Sequence, residues 1–317
     1  MIKTLLKIFF SLGIIYWLAH SGKIDLTLIS QSLKSGPQWI FALMLLFTQF
    51  NLANFRYKIL LESKKNNSIP YFKLVPINWI GLFFSSVLPG AVTGDIIKMV
   101  YVKKLDSSFT KTFLVTSALI DRILGLCALL FLAGVFSLIY YSEIIQISPK
   151  MNSIIMVNFL LFLASVLGFM VLFSPRKFQH WIQKIVYKIP KIGHRVQSII
   201  EQIFFWKSFK KELLQGFLIS IVAQFCSIIA FWVITSPFYT GHLPLPYVFT
   251  FIPIGLITIA IPISPAGLGV GHAVFQNLFA LVQINNGASL FNLFFLCALS
   301  LNLIGIIPYL LLSEKSK

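Results

Sequence analysis

Long apolar segments alternate with short polar ones along most of the chain. A membrane-spanning helix needs ~20 predominantly apolar residues. Six segments approach that length: 4–20, 37–61, 112–141, 152–174, 214–236 and 288–312. The pattern therefore predicts about six full transmembrane helices.

Two further apolar segments are interrupted near their middle. Residues 71–102 break at Pro89-Gly90, and residues 247–282 break in the sequence SPAGLGVGH at 264–272. The first lies between basic loops and the second between loops without Lys or Arg, so the positive-inside rule places their ends on opposite sides of the membrane. We expect two re-entrant helical hairpins that enter from opposite faces, the first from the cytoplasm. Such a pair is typical of an inverted repeat with a site near the midplane.

These elements predict an all-α polytopic membrane protein in which residues 1–317 form a single transmembrane domain. The first half covers 1–174 with the broken hairpin 71–102, and the second covers 214–317 with the broken hairpin 247–282. Between them, residues 175–213 interleave basic and apolar positions, which predicts amphipathic helices on the cytoplasmic membrane surface. This segment is either a topological anchor or a headgroup sensor. The loop charges place both termini in the cytoplasm.

The composition supports a membrane protein. Of 317 residues, 57% are hydrophobic and 11% are charged, whereas soluble domains average about 25% charged residues. The net charge of +17 comes from short clusters between apolar segments, where anionic lipid headgroups are the expected partners. It does not form the single basic face of a nucleic-acid-binding domain.

Neither metal chemistry nor catalysis is indicated by the motifs. Cys127, Cys226 and Cys297 lie in apolar segments without CxxC spacing, so no disulfide framework or zinc site is predicted. No nucleophile elbow, HExxH motif or phosphate-binding loop occurs. We expect no enzyme activity, no metal and no cofactor.

The two breaks share features that suit a binding site. Both begin with proline and are rich in glycine, which allows another group to approach the backbone closely. The half-helix that follows offers free N–H groups to an anion. The candidate residues are Pro89, Gly90, Gly94, Pro265, Gly267 and Gly269. The alternative is that both breaks are tight helix-packing turns.

Several ionisable residues fall within the apolar segments, where they need partners. Asp95 and Lys98 share a helix face, whereas Asp121 and Arg122 are adjacent and point in different directions. We expect a network in which Arg56 and Arg122 meet Asp95 and Asp121. It either holds the hairpin in place or presents a positive pocket to a lipid phosphate.

His272 follows the second break. It is either a hydrogen-bonded filler or a group that titrates near neutral pH and gates transport.

Four motifs in this order resemble one membrane family: NFRYKILL at 54–61, LPGAVTGDIIKMVYVKK at 88–104, ALIDRILGL at 118–126 and PISPAGLGVGHAVF at 262–275. The chain resembles the flippase-like lysylphosphatidylglycerol synthase transmembrane region from about residue 5 to 312. The resemblance implies a bacterial or archaeal cytoplasmic membrane protein related to the flippase half of those synthases, which moves an aminoacylated phospholipid between leaflets.

The chain also departs from the family pattern. Ala91 stands where an arginine usually follows Pro-Gly, and His272 stands where a glutamate is common. The substrate therefore need not be the one best known for the family. The soluble aminoacyl-transfer domain of the synthases is absent, so we do not expect this chain alone to synthesise a lipid.

The expected function is translocation of a phospholipid or lipid phosphate between the leaflets of the cytoplasmic membrane. The alternative is a non-transporting scaffold or lipid-binding partner of a lipid- or envelope-synthesis enzyme. The expected partners are membrane phospholipids or lipid phosphates and not nucleic acid. A homodimer and an envelope-synthesis enzyme as partner both stay open.

Overall fold

The computed structural model describes residues 36–64, 69–87, 93–146, 150–172, 205–238, 245–260, 270–284 and 286–314. Within these ranges the regular secondary structure is helical and no strand occurs. The helices are α1 (Gln38–Glu62), α2 (Tyr71–Val87), α3 (Thr93–Leu105), α4 (Lys111–Ile139), α5 (Tyr141–Ile145), α6 (Lys150–Leu172), α7 (Lys210–Thr235), α8 (Leu245–Ala260), α9 (Val270–Ala280), α10 (Gly287–Leu303) and α11 (Ile306–Glu314). A 3₁₀ turn, Trp206–Phe209, precedes α7.

Four helical stretches in the described part of the chain are long and apolar enough to cross a membrane: Lys111–Ile139, Met151–Met170, Trp206–Phe238 and Gly287–Leu312. They confirm the predicted segments 112–141, 152–174, 214–236 and 288–312 as membrane-spanning candidates. Helix α1 also forms where predicted, but it is not among these four. Because segment 4–20 lies outside the described residues, the count of six stays a prediction.

The outer surface of α6 and α7 is apolar. The side chains of Met156, Met170 and Leu214 are 57%, 62% and 59% exposed. Large exposed apolar patches are rare on soluble proteins, whereas the hydrocarbon chains of a bilayer would cover such side chains without cost. The fold is thus that of an integral membrane protein with lipid-facing helices.

Helices α1 and α7 form the most extensive helix–helix contact, and both also pack against α4 and α10. Gly216 on α7 permits this approach, because a Cβ atom there would lie 2.8 Å from Leu124 Cδ1 and 3.4 Å from Arg56 Cγ. The largest buried cluster lies beside this pair, where Phe231 stacks on Phe275 with ring centroids 4.8 Å apart. Helices from the first and second halves therefore share one core.

Helices α2 and α3 form an antiparallel pair. A Cβ atom added at Gly81 would lie 3.3 Å from Lys98 Cβ, and one added at Gly94 would lie 2.0 Å from Ser85 Oγ. Residues later in α2 therefore contact residues earlier in α3, as they do in an antiparallel helix pair. The connecting residues 88–92, including Pro89 and Gly90, lie outside the described residues.

Helices α8 and α9 form a second antiparallel pair. A Cβ atom at Gly255 would lie 2.2 Å from the Phe275 ring, and one at Gly271 would lie 2.9 Å from Ile259 Cγ2. The connecting residues 261–269, with Pro265, Gly267 and Gly269, lie outside the described residues. Both predicted helix pairs form, while their re-entrant course, opposite orientation and inverted repeat stay predictions.

The last predicted span is not one continuous helix. It divides into α10 and α11 at Ile304–Gly305. A Cβ atom at Gly305 would lie 2.0 Å from the backbone oxygen of Trp79, so glycine allows α11 to pack directly on α2. Next to this contact, Asn302 Nδ2 donates to Ser86 Oγ at 2.9 Å. The bend therefore allows α11 to pack against α2 of the first helix pair.

The predicted amphipathic segment 175–213 is described only from residue 205 onward. In that part Trp206 is fully buried, and α7 has already begun at Lys210. Residues 210–213 thus belong to the long apolar helix rather than to a separate surface helix. The rest of the prediction lies outside the described residues.

Candidate functional site

Arg56 connects three helices at the centre of the fold. It lies in the second half of α1 with its side chain 8% exposed. Its Nε donates to Asp121 Oδ1 on α4 at 2.7 Å, and its Nη1 donates to Ser220 Oγ on α7 at 2.7 Å. A buried guanidinium needs a charged partner together with further acceptors, and this arrangement supplies both.

Glycine makes room for this side chain. A Cβ atom at Gly125 on α4 would lie 3.3 Å from Arg56 Nη1. The backbone oxygen of Gly125 also accepts a hydrogen bond from Gln224 Nε2 on α7 at 3.1 Å. The sequence ALIDRILGL thus provides both the carboxylate that binds Arg56 and the space that the guanidinium fills.

Asp95 is the centre of a second charged group. Arg122 Nε on α4 donates to Asp95 Oδ2 at 2.5 Å, and Lys98 Nζ lies 3.4 Å from Asp95 Oδ1. Arg122 is 42% exposed and Asp95 is 19% exposed. This bridge therefore lies closer to the surface than the pair of Arg56 and Asp121, and it joins α3 to α4.

The sequence hypothesis that Arg56 and Arg122 meet Asp95 and Asp121 is confirmed in its contacts. Arg56 forms an ion pair with Asp121, and Arg122 forms one with Asp95. With Lys98 included, three basic side chains face two acidic ones among the described residues, so these five residues together carry one excess positive charge. The role of these residues in binding or translocation stays a prediction.

A cavity of about 150 Å³ lies between α1, α2, α3 and α4, beside the charged cluster. Its walls contain four apolar or small residues together with seven residues that carry a polar or charged group. The lining residues are Phe50, Ala53, Asn54, Tyr57, Asn78, Gly81, Leu82, Ser85, Asp95, Lys98 and Asp121. Since one water occupies ≈ 30 Å³ of liquid, the space is large enough for a small polar group such as a phosphate.

Lys98 carries positive charge into this cavity. Its side chain is only 11% exposed, and its Nζ lies 3.8 Å from the centroid of the Tyr57 ring. An ammonium group over an aromatic face is attracted by the ring quadrupole. Gly81 and Gly94 bring α2 and α3 close enough to hold this group in the wall. Arg56 and Arg122, in contrast, are not among the lining residues.

Three lining residues carry buried donors without a hydrogen-bond partner among the described residues: Asn54 Nδ2, Asn78 Nδ2 and the Tyr57 hydroxyl. Unpaired buried donors are rare and call for an explanation. Sequence reasoning did not identify Asn54, Tyr57 or Asn78 as candidate site residues. An asparagine inside the apolar sequence KLVPINWIGLFF was an available signal, whereas Tyr57 and Ser220 gave none.

His272 lies elsewhere in the fold. It is on α9, and its ring meets the edge of Phe291 on α10 with centroids 5.0 Å apart. It is not among the residues that line the cavity. The structure thus brings together Arg56, Asp95, Lys98, Asp121 and Arg122, with Gly94 at the helix contact, and places His272 in the second helix pair.

The family model described as Lysylphosphatidylglycerol synthase TM region matches residues 4–306. The chain belongs to this family. Membership indicates an integral membrane protein linked to lipid handling, in agreement with the long apolar helices. Comparisons with curated proteins and with solved structures found no match.

Proposed function

We propose that this family member moves a phospholipid or lipid phosphate between the leaflets of a bacterial or archaeal cytoplasmic membrane. The observation that carries the proposal is a cavity at the first helix pair, walled by Lys98 and adjoining a cluster with one excess positive charge. A phosphate entering such a cavity would neutralise that charge. The acyl chains of the same lipid would remain in the hydrocarbon region of the bilayer, beside the lipid-facing helices.

The ion pairs give the proposal a mechanism. The buried Arg56–Asp121 pair would hold α1, α4 and α7 together, while the more exposed Arg122–Asp95 pair could exchange Asp95 for a substrate phosphate. Arginine suits this exchange because its planar fork binds carboxylate and phosphate oxygens alike. The cavity would then alternate its opening as the α2–α3 pair shifts against α4. In the second helix pair, His272 would balance charge during the cycle.

The test is leaflet exchange of labelled phospholipids in proteoliposomes that contain the full chain. We expect exchange with wild type and a loss of at least tenfold with Asp95→Asn and with Arg122→Ala. Lys58→Met is the matched control, because Lys58 lies on α1 near Arg56 but pairs with Glu62 outside the cavity. Lipid recovered afterwards should be chemically unchanged, as expected for a transporter that is not an enzyme.

The outcomes separate the alternatives. Unchanged exchange in both cavity variants would remove the charged cluster from the transport path. No exchange of any lipid by folded wild type would refute translocation. Recovery of a stoichiometric enzyme with such an inactive protein would instead favour the scaffold.

A further inference from the structure

The last apolar stretch of the chain belongs to two different parts of the fold. Helix α10 packs most extensively on α9 and also on α7, α1 and α2, whereas the main contact of α11 is with α2. Helix α2 in turn packs most extensively on α3 and next on α11. Ile304 and Gly305 therefore join a helix of the shared core to a helix that belongs with the first helix pair.

The contact between α11 and α2 is a close one. A Cβ atom at Gly305 would lie 2.0 Å from the backbone oxygen of Trp79 and 2.9 Å from Phe83 Cβ. One turn later, the Tyr309 ring meets the Phe84 ring edge-on with centroids 4.9 Å apart. Closely packed interfaces resist sliding, and a contact between backbones has no side chain whose rotamer could change to permit it. Helix α11 should therefore keep its position on α2.

The junction between α10 and α11 is held by fewer regular backbone bonds. The N–H groups of Ile304, Gly305 and Ile307 donate to carbonyl oxygens three residues earlier, at 3.0, 3.1 and 3.0 Å. This 3₁₀ pattern has poorer hydrogen-bond geometry than an α-helix, and inside a helix it often marks a hinge. Pro308 has no N–H to donate to the Ile304 oxygen, so an unbroken α-helical ladder cannot form there. The junction is thus the weakest place along this stretch.

Two polar links connect the first helix pair to its surroundings. Asn302 Nδ2 on α10 donates to Ser86 Oγ on α2 at 2.9 Å, and the partly exposed Arg122–Asp95 pair joins α4 to α3. Hydrogen bonds between membrane helices are individually weak, and exposed ion pairs contribute little. Neither link would therefore prevent a rotation of α2 and α3 against the core.

We propose that α2, α3 and α11 move as one unit and that residues 303–305 are the hinge on which this unit turns relative to α1, α4, α7 and α10. The hydrogen bond between Asn302 and Ser86 crosses the hinge and holds the unit in the arrangement described above. This inference rests on the proposed function only in assigning the motion to the opening of the cavity.

The test measures distances between pairs of spin labels on the full chain in lipid nanodiscs, by double electron–electron resonance. In a background without the three native cysteines, the labels are placed at the exposed residues Phe72 of α2, Leu214 of α7 and Leu311 of α11. We expect one narrow distance for the pair 72–311. The pairs 72–214 and 214–311 should each show a second distance, because both span the hinge.

Asn302→Leu removes the hydrogen bond across the hinge. We expect the population of the second distance to rise about threefold in both pairs that include position 214, as for the loss of an average hydrogen bond between membrane helices. Ser86→Ala removes the acceptor and should act in the same way without added bulk. The matched control is Asn286→Leu, which deletes a 3.0 Å bond to the Phe238 oxygen at the other end of α10 and should leave all distances as in wild type.

The distances also decide against the inference. Single, unchanged distances for all three pairs in Asn302→Leu and Ser86→Ala would overturn the hinge. A pair 72–311 that broadens while 214–311 stays narrow would place α11 with the core and overturn the moving unit. An equal change in Asn286→Leu would show a general loosening of α10 and would overturn it as well.

A reversible cross-link tests whether the motion serves transport. The Ser86 and Asn302 side chains are in contact, so Ser86→Cys with Asn302→Cys can form a disulfide across the hinge. Oxidation should remove the second distances and stop leaflet exchange, and reduction should restore both. Joining Phe84→Cys to Tyr309→Cys with a short bifunctional thiol reagent links helices within the moving unit and should leave exchange unchanged.

The two readouts keep the proposals separate. Second distances that respond to Asn302→Leu, with no leaflet exchange by wild type, would refute translocation and leave the hinge standing. Exchange by wild type, with single distances in Asn302→Leu and Ser86→Ala, would refute the hinge and leave translocation standing. Exchange that persists in the oxidised variant would overturn the link between the hinge and the cavity.

Discussion

Replacing Asp121 with asparagine tests the idea that the buried pair with Arg56 holds three helices together. Asparagine keeps the shape and one acceptor oxygen but leaves the guanidinium of Arg56 without a counter-charge. The side chains of Arg56 and Asp121 are 8% and 13% exposed. Asp121 lines the cavity, so water there would offset part of the loss but would not supply a counter-charge. Ser220 Oγ would remain as the neutral acceptor at 2.7 Å.

The expected magnitude follows from two opposing effects. Removing one partner of a buried ion pair typically costs ~3–5 kcal/mol because the other charge stays buried. Helices that separate within a micelle or bilayer can find new polar partners, which lowers such costs in membrane proteins. We therefore expect Asp121→Asn to lower the free energy of unfolding by ~2–3 kcal/mol.

The assay is reversible unfolding in mixed micelles titrated with dodecyl sulfate, followed by far-ultraviolet circular dichroism. A double-mutant cycle with Arg56→Met and Asp121→Leu should show a coupling energy of ~2 kcal/mol, because the double variant leaves no orphaned charge. Lys58→Met, from the i,i+4 pair with Glu62, is the control and should cost less than Asp121→Asn, because this pair is more exposed and lies within one helix. A loss in Asp121→Asn no larger than this control would refute the reasoning.

Two further predictions address the helix pair and its orientation. Gly94→Ala should lower stability by ~1–3 kcal/mol, since its Cβ would lie 2.0 Å from Ser85 Oγ and 2.1 Å from Gly81 O. Gly168→Ala on α6, with nothing within 4 Å, should be neutral or stabilising by thermal unfolding, and equal effects would contradict the close contact. In a cysteine-free background, Lys64→Cys and Ser107→Cys should react with an impermeant maleimide from the cytoplasmic side and Gln146→Cys from the opposite side. Labelling of positions 64 and 107 from different sides would exclude a re-entrant α2–α3 pair.

The sequence predicted the charged network, but not which arginine pairs with which carboxylate, because ionisable groups in apolar helices must find partners. Arg56, Asp95, Asp121 and Arg122 are few, and their signs limit the pairings. The helix pairs were predictable for a related reason, since prolines and glycines interrupt segments too short to span twice. In both cases the prediction depends on the residue types and their spacing in the sequence, and not on distances between helices.

The cavity could not be predicted because it depends on distances between helices. Tyr57 looks like an ordinary aromatic residue of α1 until Lys98 arrives from α3 beneath its ring. Ser220 acquires its role only because α7 packs against α1 across 164 positions of sequence. The bend at Gly305 likewise follows from the shape of α2, which the apolar sequence 288–312 does not encode.

The unequal burial of the two ion pairs predicts which helices are held less firmly. Breaking the largely buried Arg56–Asp121 pair would leave two charges without partners, which is costly, so we expect α1, α4 and α7 to stay together. The Arg122–Asp95 pair is more exposed, so we expect its separation to cost less because water can solvate the Arg122 guanidinium. Helix α3 packs mainly on α2, and the partly exposed Arg122–Asp95 ion pair links it to α4. Thermal motion would then concentrate in the α2–α3 pair, so the wall containing Lys98 would be the mobile side of the cavity.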